Sequence, residues 1–294
     1  MALTGLDSVF ASISNDRCFH SIYSKNYSTA SAMTGSTDMF LFVGTPPPGL
    51  YSGSVGSCTT MSDQTVGAMY TGGSVQPYTK HLLNAEITAT GPYSNSTFIL
   101  VDMLAYYIID LSLTTSQNLT ASGNILPLRN GVQHSGENVQ MFFEPMTSAA
   151  LSLTTITVNY TNNNGVNGQS LGATTKTTNA TKYAMSSAIY TPGASNFNFG
   201  PFLPHGVGNT GVQSVQSIQL NAGESSGRYG IILLCEPITM LQTSGTFILS
   251  NRDFIFSKPS LPRIKDGACL NLIMHMSSQG YQPGVTATFD FVWG

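Results

Sequence analysis

Gly223-Glu224-Ser225-Ser226-Gly227 has the Gly-x-Ser-x-Gly spacing of a hydrolase nucleophile elbow. That chemistry needs a strand before the serine and a helix after it, so that the hydroxyl sits on a strained turn. Here the apolar run Tyr229 to Cys235 follows at once, and a hairpin turn is the expected structure. Glu144 and Glu236 could in principle act as the acid and base of a glycosidase, which needs two carboxyls a few ångströms apart. Each stands before a proline at the end of an apolar run, which explains both equally well as strand-end residues. Asp102 and Asp110 lie eight apart and share a face if their run is a strand. The histidines (His20, His81, His134, His205 and His275) form no His-x-x-x-His or His-x-Glu group. Cys18, Cys58, Cys235 and Cys269 have no metal-ligand spacing, and Cys18 and His20 lack a third ligand nearby in the chain. Cys235 and Cys269 sit in apolar runs, where a buried free thiol is the default. No dinucleotide fingerprint, phosphate-binding loop or metalloprotease motif is present. The expectation is a non-enzymatic protein with no catalytic residue, no metal and no cofactor.

The elements that would carry these residues are mostly strands. Val285, Ala287, Phe289, Phe291 and Trp293 alternate with Thr286, Thr288, Asp290 and Val292, a period of two that a helix would scatter. Ile156, Val158 and Tyr160 alternate with Thr155, Thr157 and Asn159 in the same way. Further strands are expected at Asp38 to Val43, Asn138 to Phe143, Val212 to Leu220, Gly230 to Cys235, Thr246 to Leu249 and Leu270 to Met276. The Ile, Val and Tyr content of Phe98 to Leu113 favours strand there too. Helix is expected only at the N-terminus, where Asp7 could cap a short helix with Leu6, Val9, Phe10 and Ile13 on one side, and for a turn or two over Lys80 to Ile87. Gly44 to Gly56, with Pro46-Pro47-Pro48-Gly49, and Asn162 to Thr181 read as long loops. The fold class is all-β: mainly antiparallel β-sandwich or jelly-roll-like domains, with an extended N-terminal region and little helix. Glu144-Pro145 and Glu236-Pro237 each close an apolar run and lead into a Thr/Ser-rich stretch. This echo suggests an N-terminal region over 1–90 and two β-sandwich domains over 91–190 and 191–294, possible duplicates of each other.

Composition narrows the function classes. The chain has 294 residues, 41% hydrophobic, enough for a large core. Only 9% are Asp, Glu, Lys or Arg, against roughly 25% in ordinary soluble domains. Disorder does not follow, because large apolar residues are abundant throughout. A polar but uncharged surface suits closely packed assemblies, since burying a hydroxyl or amide needs only a hydrogen-bond partner and burying a charge costs several kcal/mol unless paired. With a net charge of −3 and no basic arm, no nucleic-acid partner is expected. Arg252, Lys258, Arg263 and Lys265 are diluted by Asp253 and Asp266 and read as a solvated loop. The first residues lack the pattern of a signal peptide, and Phe98 to Leu113 is interrupted by Asp102 and Asp110 and too short for a bilayer. Synthesis in a host cytoplasm and no membrane partner are the expectations. Five Asn-x-Ser/Thr triplets, starting at Asn26, Asn95, Asn118, Asn159 and Asn179, are what chance gives in such a composition.

Ser12-Ile13-Ser14-Asn15-Asp16-Arg17-Cys18-Phe19-His20, Thr37-Asp38-Met39-Phe40 and Leu261-Pro262-Arg263-Ile264-Lys265-Asp266-Gly267-Ala268-Cys269-Leu270 resemble stretches of tailed-bacteriophage virion structural proteins encoded near head genes. The likeness is one of style over most of the chain, without a defined motif, and no functional residue carries over from it. It implies a head decoration (cement) protein on the capsid surface. Its partners would be the major capsid protein and further copies of itself, often as a homotrimer. The N-terminal region supplies candidate shell-anchoring residues in Phe10, Phe19, Tyr23 and Tyr27, spaced along Ser-rich chain. The alternatives are a tail or host-recognition (fibre or adhesin-like) β module and a major shell-forming subunit. The major capsid fold of tailed phages has a long charged spine helix, which this sequence does not offer.

Overall fold

The computed structural model describes residues 3, 5–26, 33–89, 95–119, 123–146, 154–170, 174–176, 189–190, 197–198, 201–223, 227–244, 249–257, 260–280 and 284–294. Helix α1 (Leu6–Ser14) leads into β1 (Cys18–Asn26), β2 (Met33–Asp38), β3 (Val43–Thr45), β4 (Cys58–Thr60), β5 (Lys80–Ala89) and β6 (Asn95–Asp110). Short strands β7 (Gln117–Asn118), β8 (Leu128–Arg129) and β9 (Val132–Gln133) precede β10 (Gln140–Pro145) and β11 (Thr154–Asn162). There follow β12 (Gln169–Ser170), β13 (Thr174–Lys176), β14 (Ile189–Tyr190), β15 (Phe197–Asn198), β16 (Phe202–Leu203) and β17 (Val212–Leu220). The chain ends with β18 (Tyr229–Ser244), β19 (Ser250–Asp253), one helical turn α2 (Phe254–Ser257), β20 (Arg263–Ile264), β21 (Leu270–Gly280) and β22 (Gly284–Trp293). The protein is all-β and its described strands pair antiparallel, in three sheets and a small β8–β9 hairpin.

The central sheet has the order β16-β10-β18-β6-β21-β2, with β4 beside β6. Its middle is the pair β6 and β18, each 16 residues long and so on the order of 50 Å at the usual rise of a strand. One face of this sheet carries two cores side by side. At one end Phe98, Leu100 and Leu241 pack against the sheet β19-β5-β22-β1-β3 through Leu82, Ile87, Phe289 and Phe291. At the other end Leu104, Tyr107, Ile109, Ile232 and Leu234 pack against the sheet β15-β14-β13-β11-β17-β7 through Ile156, Val158, Tyr160 and Ile218. The opposite face carries Ile99, Val101, Tyr106, Ile231 and Leu233, covered by Phe40, Tyr51 and Met61 from the segment 39–69.

Two β-bulges keep both long strands in register with both cores. Met103 pairs with Cys235 and Ala105 with Leu234, so Leu104 is an extra residue; Val101 pairs with Pro237 and Leu100 with Thr239, so Ile238 is another. A bulge shifts the alternation of a strand. Even positions of β6 before Leu104 and odd positions after it therefore share a face, and Asp102 and Asp110 fall on opposite faces despite their even spacing.

β22 forms over the alternation Val285 to Trp293, between β1 and β5. Asp38 to Val43 departs from its expected strand: β2 ends at Asp38 and the chain turns over Met39 to Phe42 before β3. Lys80 to Ile87 departs from its expected helical turns, because β5 supplies the partner that β22 needs on its far side. Strands of 1–90 (β1, β3, β5) and of 191–294 (β19, β20, β22) share the sheet β19-β5-β22-β1-β3, with β5 between β19 and β22 and β22 between β5 and β1. The Glu144 and Glu236 runs, β10 and the first half of β18, are adjacent antiparallel strands of the central sheet.

Because β6 and β18 run through both sandwiches, the two cores are expected to melt together. Leu100→Ala in one and Leu234→Ala in the other should each cost about 2–5 kcal/mol and leave a single calorimetric transition. Separation into two transitions in either variant would mean that the long strands do not couple the cores.

Candidate functional site

The polar groups that the apolar patterning leaves unexplained gather where the two cores adjoin. Asp102 of β6 and Glu236 of β18 are direct cross-strand partners between the two bulges, and like charges facing each other across a ladder are unfavourable. Each is answered by a cation from a loop. Arg129, at the end of β8, binds Asp102 in a bidentate fork, Nε to Oδ2 at 2.6 Å and Nη2 to Oδ1 at 2.8 Å. Arg129 Nη2 also donates to the Met61 and Met103 carbonyls, and the Cys269 amide donates to Asp102 Oδ1 at 2.9 Å. Both side chains are buried. Burial pushes the Asp102 carboxyl up, against the opposing pull of Arg129.

Lys265 Nζ donates to Glu236 Oε2 at 2.6 Å, and His134 Nε2 lies 2.9 Å from the same oxygen. The Gly136 amide donates to His134 Nδ1 at 3.0 Å, which places the proton of a neutral imidazole on Nε2, pointing at Glu236. Burial pushes Glu236 up, but the hydrogen bonds of His134 and Lys265 and the Lys265 charge outweigh it and hold the carboxyl below its ordinary range. One residue on, Asp266 takes hydrogen bonds from Ser74 Oγ, the Val75 amide and Gln76 Nε2 and lies 3.9 Å from Lys80 Nζ. The segment 260–268 is thereby tied to the central sheet on one side and to 74–80 on the other. A cleft of about 280 Å³ opens beside it, lined by Glu236, Ile238, Ser260, Arg263 and Lys265 among others.

The chemistry of this seam is fixation. Both central acids are matched by a cation within hydrogen-bonding distance, and these contacts pin the loops 124–134 and 260–268 onto the ladder. Burial raises the thiols of Cys58 (to about 11), Cys235 and Cys269, so these cysteines are held as thiols. Among the described residues no group of three or more His, Cys, Asp or Glu side chains is placed to hold a metal ion. Glu144 faces the opposite side of the central sheet from Glu236, which keeps the two apart. The Gly-x-Ser-x-Gly stretch has its three middle residues outside the described residues.

The candidate anchoring residues fare differently from one another. Phe10 is 56% exposed on α1, beside Leu6 at 42% and Ile13 at 37%. The stripe Leu6, Val9, Phe10 and Ile13 exists, but only its Val9 edge is buried. Phe19 is half-buried, edge-on to Tyr70 at 5.1 Å. Tyr23 belongs to the core, fully buried with its hydroxyl donating to Asn271 Oδ1 at 2.8 Å; as a central-facing residue of β1 it has no free surface to offer. Tyr27 lies outside the described residues. Arg129 and His134 carried no signal in the sequence, and Lys265, which reads there as part of a solvated loop, is an ion-pair partner. His275 is hydrogen-bonded to Ser36 Oγ at 2.7 Å.

Fold and seam together define an all-β protein in which one continuous sheet is shared by two sandwiches and six charged side chains are buried. No family model and no characterised protein matches the chain. Among solved structures, that of infectious bursal disease virus Gt strain covers 94% of this chain and 80% of its own at 10% identity, with a TM-score of 0.16. A score that low does not amount to a shared fold. Among the described residues no helix is long and apolar enough to cross a membrane.

Arg129→Met should cost about 3–5 kcal/mol in denaturant unfolding, since it leaves Asp102 buried without its cation. Lys265→Met, at a partly exposed pair, should cost far less. The low-lying Glu236 carboxyl stabilises the fold above the unfolded carboxyl range, and this contribution is lost as pH falls through its folded value. Lys265→Met should therefore lessen the acid loss of stability; equal acid sensitivity in both proteins would contradict the assignment.

Proposed function

We propose that this protein is a non-enzymatic structural subunit of a virus particle, bound to the outside of a tailed-phage capsid as a decoration protein. The reading rests on how the chain spends its few charges. Only 25 of its 294 residues are ionic, and Lys25, Asp38, Lys80, Asp102, Arg129 and Glu144 are buried. Ordinary soluble proteins keep such groups in water, where they oppose association. The surface left behind is rich in hydroxyls and amides and dotted with exposed Leu50, Val43, Val66, Tyr70, Ile22 and Phe10. Such a surface can be covered by neighbours with little desolvation cost.

The α1 stripe of Leu6, Phe10 and Ile13 is the part of this surface best shaped for the shell. It is a short amphipathic helix that uses one edge to hold the body and leaves an apolar ridge outward, the geometry of a helix laid into a groove. In this reading the shell protein supplies the apolar groove, further copies of the chain make a trimer around it, and neither nucleic acid nor membrane is a partner.

Phe10→Glu with Ile13→Glu should abolish co-sedimentation of the purified protein with empty phage heads while leaving its melting temperature within about 2 °C of wild type, because surface changes cost little. Undiminished binding by the folded variant would remove α1 as the anchor.

A further inference from the structure

The central sheet ends at β10 (with β16 outside it) on one side and at β2 on the other, with β18, β6 and β21 between them. Laid flat, β10 and β2 would be roughly 19 Å apart at the ordinary strand spacing. Yet Thr37 Oγ1 of β2 donates to Glu144 Oε1 of β10 at 2.6 Å. The sheet is therefore curled until its two margins touch, around the core of Phe40, Tyr51, Phe142 and Ile231.

At that contact stand two carboxyl groups, and neither has an ion-pair partner among the described residues. Asp38 is furnished as a carboxylate: Oδ1 accepts from the Phe40 amide and Oδ2 from the Tyr51 hydroxyl, both at 2.9 Å. Glu144 is furnished differently: Oε1 accepts from Thr37, the Asp38 backbone also acts on the carboxyl, and Oε2 is buried without a hydrogen-bond partner of its own. An oxygen in that position is satisfied if it carries a proton and gives it to the neighbouring carboxylate.

We propose that Asp38 and Glu144 form a pH-sensitive clamp: one proton held between them keeps the margins of the curled sheet together, and its loss as pH rises weakens the hold of β10 on β2 and on the 39–69 segment that follows.

The other groups around the pair cannot replace that proton. Tyr51 from the covering segment and Tyr23 from β1 are raised by burial first and by Asp38 next, and so stay neutral. Cys235 on β18 and Cys269 before β21 are buried thiols. Burial lowers the Lys25 ammonium on β1 to about 8 against the pull of Asp38, and its Nζ is engaged by the carbonyls of Phe42 and Pro46 at 3.0 and 2.7 Å, in wild type and Glu144→Gln alike. Asp102, which also acts on Cys235, is matched by Arg129. Burial first, and then the Asp38 charge, push the Glu144 carboxyl well above its ordinary range. A group raised in this way stabilises fully below its unfolded value and less as pH climbs through its folded one.

Two measurements on the intact chain decide the matter. In wild-type protein labelled with ¹³C at its five glutamate carboxyls, one signal should remain protonated at neutral pH and vanish in Glu144→Gln. Between about pH 6 and about pH 9 the wild-type melting temperature should fall by at least about 3 °C more than that of Glu144→Gln, whose amide donates to Asp38 without titrating. Five ordinary glutamate titrations would overturn the proposal. So would a high-titrating Glu144 with melting curves that move in parallel. If Glu144→Gln fails to fold, the wild-type titration alone still decides whether the proton is there.

Discussion

The pairing of β6 with β18 is the interaction on which the rest of the molecule depends. It is the longest ladder among the described residues, it lines all three cores, and β10, β21 and β4 attach directly to one of its two members, with β16 and β2 beyond them. A two-stranded ribbon of this length twists strongly, and a strict alternation could not serve cores at both ends. The extra residues at Leu104 and Ile238 resolve this by resetting the alternation midway. They also create the place where apolar packing is interrupted, and there Asp102 and Glu236 face each other. The ion pairs with Arg129 and Lys265 compensate that interruption and draw the loops 124–134 and 260–268 across the junction.

Six of the ionic side chains, Lys25, Asp38, Lys80, Asp102, Arg129 and Glu144, are buried and serve as an internal adhesive. Asp102 with Arg129, Lys80 near Asp266, Lys25 on the carbonyls of the Pro46 turn and Asp38 with Glu144 each fasten a segment to a sheet margin or a junction. Buried pairs of this kind are weak sources of net stability but severe penalties for wrong arrangements, so they select one register among several for strands that are otherwise similar Thr- and Ser-rich sequences. The turn at Pro46-Pro47-Pro48-Gly49 illustrates the outcome. Gly49 lies so close to the Phe40 ring that a side chain would clash, and a segment that reads as an open loop is packed down as a cover.

Much of the architecture was legible where one face of a strand is uniformly apolar, as in Val285 to Trp293 and Ile156 to Tyr160. Lys80 to Ile87 misleads for a physical reason. The register shift between Asp290 and Phe291 makes Leu83 an extra residue, so the inward positions Leu82 and Ala85 are three apart and imitate a helical face. Lys80, buried on Thr71 and Gly73, adds a polar residue where the pattern calls for an apolar one. The same device hides the relation of Asp102 to Asp110. Arg129 and His134 were illegible because they lie at the end of the short β8 and just after the short β9, and only the fold brings them to acids 27 and 102 positions away. The apolar stripe of α1 was readable, whereas which edge of it the body would cover was not.

The function proposed above rests on a chain with few charges, six of them buried, and apolar side chains such as Phe10 and Leu50 left exposed. The direct test is the abundance and position of the chain in purified particles, by quantitative mass spectrometry with imaging of the labelled protein. The account predicts copy numbers comparable to those of the shell subunit, with label distributed over the outer face of the head. Absence from particles, or a handful of copies confined to the tail, would contradict it.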